Sequence, residues 1–343
     1  MRRALLVDLR PGEGGRVGGM FALIGLIIAT SYILKPVRSS LFLTQFGSER
    51  LPYVYLAVAL VLGVVASAFA RIAGRADLPR LFVGTALLFS FTLVVFWALT
   101  VANWRFTGFA FYVWVSIFTA LMPSLFWLLA NYVFYSNEGR RLFPVVMAGG
   151  LLGSILGGAL TSLLVPVLGT AGLMLAAALL LVAVALLASW NSARERERMN
   201  ERRADLSRQQ KQRALGEESS PYRMLGQSRY LSMLAGLISI GSLVSTLVDF
   251  QFNTVVEQSF GSRDALTEFF GTFFAVINVL AFLLQLLVAS FDLFEFLPHR
   301  KPSLVDAAPG FGSGVTSREA SPSIHHRLRE INSRRRSPFS LWL

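Results

Sequence analysis

Residues 142–193 read LFPVVMAGGLLGSILGGALTSLLVPVLGTAGLMLAAALLLVAVALLASWNSA, a run of 52 without a charged side chain. A helix crosses the ~30 Å hydrocarbon core of a bilayer with about 20 apolar residues. The run is therefore too long for one crossing. It fits two, divided at Pro166-Val167-Leu168-Gly169-Thr170. Other charge-free runs lie on either side: Val17–Leu34, Leu51–Ala70, Leu81–Trp104, Phe106–Asn137, Tyr230–Val248 and Phe269–Phe291. Together they predict eight spans, near 17–34, 52–71, 81–102, 107–135, 143–165, 169–190, 229–249 and 269–290. In lipid the backbone must satisfy its own hydrogen bonds, so these spans are helices. The alternating pattern of a membrane barrel is absent.

Composition agrees. The 343 residues are 54% hydrophobic and 15% charged, against roughly 25% charged in soluble domains. Mean hydropathy is +0.57. The chain has no Cys, which rules out disulfides, thiolate metal sites and cysteine nucleophiles. With three His, two of them adjacent (His325 and His326), no metal site is expected. No Walker A loop, zinc motif or Gly-x-Ser-x-Gly elbow occurs, and neither an enzyme nor a bound cofactor is expected.

Lys and Arg set the orientation. With the N-terminus inside, 27 of the 32 basic residues fall on inside segments. Outside are Lys35, Arg38, Arg50, Arg105 and Arg263. The chain is thus expected to be a multi-pass protein of the cell's inner membrane with both termini cytoplasmic. Its net charge of +12 then reflects this bias and contact with anionic lipid, rather than nucleic-acid binding. A cysteine introduced at position 210 should react with an impermeant reagent from the cytoplasmic side; reaction from the outer side would overturn the topology.

The predicted organisation is a cytoplasmic N-terminus (1–16), six spans (17–190), a basic cytoplasmic linker (191–228), two more spans (229–290) and a polar tail (291–343). Residues 1–16 precede an uncleaved signal-anchor. Six helices, a basic linker and further helices is the layout of major-facilitator-type transporters, built from two parallel repeats. Phe46-Gly47-Ser48 and Phe260-Gly261-Ser262, 214 residues apart, fit such a repeat. Lys35 and Asp249 are equivalent within it. The tail's Ser, Arg, Pro and Gly content suits disorder. Its abrupt start suggests a frameshift or truncation near 289–292, which would leave the second half incomplete.

Charged residues in or beside spans are candidate sites. Lys35 and Arg38 share a helical face if the first helix continues past Leu34, with Pro36 able to kink it. They form either a cationic site for an anionic substrate or two residues snorkelling to the interface. Asp249 could pair with either cation across the halves, bind a substrate ammonium or proton, or be an ordinary interfacial acid. Glu138, Arg140 and Arg141 lie in an inside loop. Arg75 and Asp77 lie in a loop that loosely matches the Gly/Asp/Arg loop of major-facilitator proteins. The stripe Gly149, Gly153 and Gly157, flanked by Gly150, Ser154 and Gly158, suits close helix packing.

Phe126-Trp127-Leu128-Leu129-Ala130-Asn131 followed by Glu138-Gly139-Arg140-Arg141-Leu142-Phe143-Pro144 resembles the ATP/ADP translocase family of nucleotide exchangers. Leu34-Lys35-Pro36-Val37-Arg38-Ser39, with Gly47 and Leu51-Pro52-Tyr53, is similar to that family's first helix, with Ser39 in place of its Asp. Thr246-Leu247-Val248-Asp249, Phe250 and Phe252 resemble its seventh helix, with Asn253 in place of its Lys. The resemblance covers about 17–290. It implies that Lys35 and Arg38 contact phosphates, that Asp249 and Glu138 are the family's acids, and that Asn253 lies at the substrate. The substrate would be a nucleotide or a related phosphorylated anion, exchanged by alternating access. A proton-coupled transporter of an unrelated solute, a non-transporting scaffold and a defective truncated product remain the alternatives.

Overall fold

The computed structural model describes residues 13–73, 77–134, 136–194 and 229–296. The N-terminal segment before Glu13, the linker from 195 to 228 and the tail beyond 296 lie outside them. Described helices are α1 (Gly14–Phe46), α2 (Leu51–Ala73), α3 (Leu78–Val101), α4 (Thr107–Val133), α5 (Ser136–Arg194), α6 (Arg229–Ser259) and α7 (Arg263–Phe296). Seven helical stretches are long and apolar enough to cross a membrane. Among the described residues there is no strand. The chain divides into two compact units, 1–287 and 288–343.

α5 runs 59 residues and breaks at Gly169, with φ 69 and ψ 168. The break falls inside the expected segment. Pro166 has no N–H to give to Ser162, and Gly169 tolerates the positive φ that an L side chain resists. α5 therefore has two arms, 136–168 and 170–194, as two crossings require. α1 departs from expectation. It continues through Lys35, Pro36 and Arg38 to Phe46, twelve residues past the expected end. Likewise α6 continues past Asp249 to Ser259 and α7 begins at Arg263. The expected ends stopped at the first charge, and these charges instead lie within continuous helices.

One apolar core gathers α1, α3, α4 and both arms of α5 around Leu23, Ile27, Phe82, Phe118, Phe126 and Leu181. Outward faces stay apolar and exposed, as with Leu56, Leu60 and Val64 on α2 and Leu87, Leu88 and Phe91 on α3. A surface of this kind suits lipid rather than water. The glycine stripe closes the crossing of α1 and α5. A methyl built on Gly149, Gly153 or Gly157 would collide with the carbonyl of Phe21, Gly25 or Ala29, respectively. Gly158 faces α7 instead, where such a methyl would stand 2.7 Å from the Ala275 nitrogen.

α6 and α7 join the rest at the Phe46 end of α1. A second core there collects Phe42, Leu51, Val54, Tyr112, Val256, Leu266 and Phe270. Both positive-φ glycines among the described residues, Gly47 and Gly169, are stabilised across this junction. Glu257 Oε2 accepts the Ser48 N–H at 2.8 Å. Asp264 Oδ1 accepts the Thr170 N–H at 2.9 Å and its hydroxyl at 2.6 Å. Each carboxylate thus caps a helix start from another helix, replacing the missing N-cap side chain. Thr267 extends the chain by bonding to the Thr170 hydroxyl at 2.8 Å and to Ser40 of α1.

Candidate functional site

The site begins on α1, where Leu34, Pro36, Val37, Ser39 and Ser40 are all buried. Lys35 and Arg38 are half-buried on the same helical face. The Lys35 ammonium lies 4.2 Å from the centre of the Tyr32 ring. The Arg38 guanidinium lies 4.3 Å over the Tyr112 ring of α4, and its Nη1 donates to Ser116 Oγ at 3.1 Å. Ser116 in turn donates to the Tyr112 carbonyl at 2.8 Å. Arg38 therefore points into the bundle, not along its own helix to the interface as snorkelling would require.

Neither cation forms an ion pair among the described residues, and Arg38 Nε is buried with no hydrogen-bond partner. The aromatic faces attract these charges without neutralising them. A buried charge is normally paired, because desolvation is costly. Two cations side by side also repel. Among the described residues the arrangement leaves two neighbouring cations without a counter-ion and the Arg38 Nε without an acceptor.

Asp249 does not pair with Lys35 or Arg38 in the structure. Its Oδ2 accepts the Tyr55 hydroxyl of α2 at 2.7 Å. Tyr55 lies 6.2 Å, centre to centre, from Tyr112, the ring that carries the Arg38 guanidinium. Asn253 is buried and donates to the Asp249 carbonyl at 2.7 Å, within its own helix. Tyr32, Tyr55, Tyr112 and Ser116 escaped the reading of the sequence. Their signal was a polar tip inside an apolar run, which is weaker than a charge.

Glu138 is not brought to the cations. It pairs with Arg16 at 3.8 Å, while Arg141 gives Nη2 to both oxygens of Glu13 at 2.7 Å. Arg16 lies 19 residues before Lys35, about 28 Å along α1. These pairs bind the start of α1 to the start of α5 at the opposite end of the bundle. Asp77 meets the exposed Arg80 at 3.4 Å, a surface contact worth little. Arg75 and the Arg140 side chain lie outside the described residues. Among the described residues no His or acid cluster could hold a metal.

Tyr55→Phe offers a test of the Asp249 contact. Loss of one hydrogen bond frees the acid to approach Lys35 and compete with an incoming anion. Anion binding should weaken about fivefold, the equivalent of about 1 kcal/mol, as read by titration of purified protein. Unchanged affinity would separate Tyr55 from the site.

Long helices with apolar, exposed outer faces define a multi-pass membrane protein. The chain belongs to the TLC ATP/ADP transporter family, whose model matches residues 88–294. The matched part carries Tyr112, Ser116 and Asp249, whereas Lys35 and Arg38 precede it. Comparison with curated proteins and with solved structures finds no match.

Proposed function

We propose that this member of a nucleotide-transporter family exchanges ATP- and ADP-type nucleotides, or a related phosphorylated anion, across the cell's inner membrane. The observation that carries the reading is the buried, unbonded Nε of Arg38 beside Lys35, with no carboxylate paired to either cation among the described residues. A guanidinium binds phosphate through short charge-assisted hydrogen bonds in a fixed fork. Lys35 adds a second positive charge one helical turn away. The low dielectric of the bundle strengthens both attractions relative to water.

Exchange needs the site to face each side in turn. In major-facilitator architecture this comes from rocking of two repeats, and the repeated Phe-Gly-Ser segments fit that arrangement. Ser39 and Asn253 depart from the family pattern by one acid and one base. They bear on which phosphorylated anion is preferred, while leaving both α1 cations in place.

Proteoliposomes loaded with unlabelled ATP or left empty provide the test. Uptake of labelled ADP should be fast in loaded vesicles and slow in empty ones. Equal uptake would remove obligatory exchange. Uptake that follows a pH gradient, without loaded nucleotide, would favour a proton-coupled carrier.

A further inference from the structure

The turn between α3 and α4 faces the joint between α1 and α2 across a cavity of about 390 Å³. Phe42 and Phe46 of α1, Arg50, Tyr53 of α2, and Phe106 and Phe109 line it. The volume falls within the roughly 300–1,000 Å³ of small-molecule sites. The lining is graded in depth. Phe42 is fully buried, Phe46 and Phe109 are half-buried, and Arg50, Tyr53 and Phe106 are exposed. The Phe42 and Phe46 rings lie 5.4 Å apart, centre to centre, and Phe46 meets Phe109 edge-on at 6.5 Å.

The charge-free runs put the mouth of this cavity at the edge of the hydrocarbon. Arg50 immediately precedes the run Leu51–Ala70, and Arg105 alone separates Leu81–Trp104 from Phe106–Asn137. Trp104 is 50% exposed and packs against Phe106, with ring centres 6.1 Å apart. Exposed Trp and Tyr beside Arg is the composition of a membrane–water interface. Phe42 lies four residues before Phe46, about 6 Å deeper along α1. The cavity therefore runs from headgroup level towards the acyl chains.

Its charge is unbalanced. Of the five basic residues placed outside by the sequence, Lys35 and Arg38 belong to the candidate site, and Arg263 donates Nε to Thr44 Oγ at 3.4 Å. The other two flank this cavity. The Arg50 guanidinium lies 5.8 Å from the Phe46 ring and that of Arg105 lies 6.0 Å from the Phe106 ring. Neither forms an ion pair among the described residues. Two acids are near in the chain or the fold. Glu49 is exposed and does not line the cavity, and Glu257 accepts the Ser48 N–H.

We propose that this cavity binds one acidic phospholipid of the leaflet at the Phe46 end, with its phosphate at Arg50 and Arg105 and the start of an acyl chain against Phe42, Phe46 and Phe109. Guanidinium groups hold phosphate oxygens by charge-assisted hydrogen bonds. The phenylalanine rings offer apolar contact area that a free phosphate would leave unused. The inference requires the bundle to span a membrane. It does not rest on which solute Lys35 and Arg38 take.

The purified chain in detergent is titrated with phosphatidylglycerol or with phosphatidylcholine of the same acyl chains, and bound lipid is counted by native mass spectrometry. One phosphatidylglycerol should bind per chain, at least about tenfold more tightly than phosphatidylcholine. Arg50→Gln with Arg105→Gln should abolish that preference. Tyr53→Ser with Phe106→Ser should weaken binding of both lipids several-fold, since it strips apolar wall and leaves the cations. All four side chains are exposed, so the fold should survive. Arg71→Gln, in the last turn of α2, is the control and should change neither lipid. Equal binding of the two lipids by the parent, a preference undiminished in the double arginine variant, or the same loss in Arg71→Gln would overturn the proposal. Displacement of phosphatidylglycerol by ATP or inorganic phosphate would assign the cavity to a soluble phosphate compound and overturn it as well.

Discussion

Replacing Arg38 with alanine should weaken ATP binding thirty- to a hundredfold. The guanidinium is the group whose buried Nε has no partner, and truncating a charged contact costs about 2–3 kcal/mol. Arg38→Lys should fall between the two. It retains the charge, but loses both the planar fork and the stacking over Tyr112. The Ser116 hydroxyl keeps its own bond to the Tyr112 carbonyl in either variant, so the fold should survive. Equilibrium titration with labelled nucleotide distinguishes the outcomes. Equal affinity for parent and Arg38→Ala would remove Arg38 from the site.

Gly153→Leu should prevent recovery of folded protein. Even a single methyl at that position meets the Gly25 carbonyl, and backbone on both sides leaves nothing flexible to yield. Overpacking a tight contact costs about 1–3 kcal/mol, occasionally more, against a total stability of about 5–15 kcal/mol. Leucine adds three more carbons at the tightest point of the α1–α5 crossing. Gly63→Leu on α2 is the control, because nothing lies within 4 Å of its added carbon. Gel filtration in detergent should show a monodisperse peak for Gly63→Leu and loss of it for Gly153→Leu. A normal peak for Gly153→Leu would mean that α1 and α5 do not pack as described.

Much of the fold could be read before the structure because lipid imposes one rule along the whole chain. The 52-residue apolar run announced two crossings, and Pro166 with Gly169 announced where they divide. The glycine stripe announced a close helix crossing. It could not announce α1 as the partner, since Phe21, Gly25 and Ala29 present backbone carbonyls that carry no sequence signal. Helix ends were harder. Stopping α1 at Leu34 assumed that a charge marks the interface, whereas Tyr32 and Tyr112 offer Lys35 and Arg38 aromatic faces inside the bundle.

The site was legible in its cations and obscure in its partners. Lys35 and Arg38 stood out by charge, and Asp249 did likewise. That Asp249 bonds Tyr55 and not a cation follows from how α6 meets α2, a tertiary fact. Glu138 stood in a distinctive motif, but position along α1 puts its Arg16 partner about 28 Å from Lys35. Nothing in the sequence singled out Glu257 or Asp264. Their capping role depends on Gly47 and Gly169 turning the backbone so that the following N–H groups face another helix.

The central claim is that Lys35 and Arg38 form a phosphate-binding site inside a membrane-spanning bundle. Competition binding to the purified chain tests it most directly, with labelled ATP displaced by ADP, inorganic phosphate or adenosine. The account predicts displacement by ADP, weaker displacement by phosphate and none by adenosine, and all binding lost in the double variant Lys35→Ala with Arg38→Ala. Displacement by adenosine as effective as by ADP, or binding undiminished in the double variant, would contradict it.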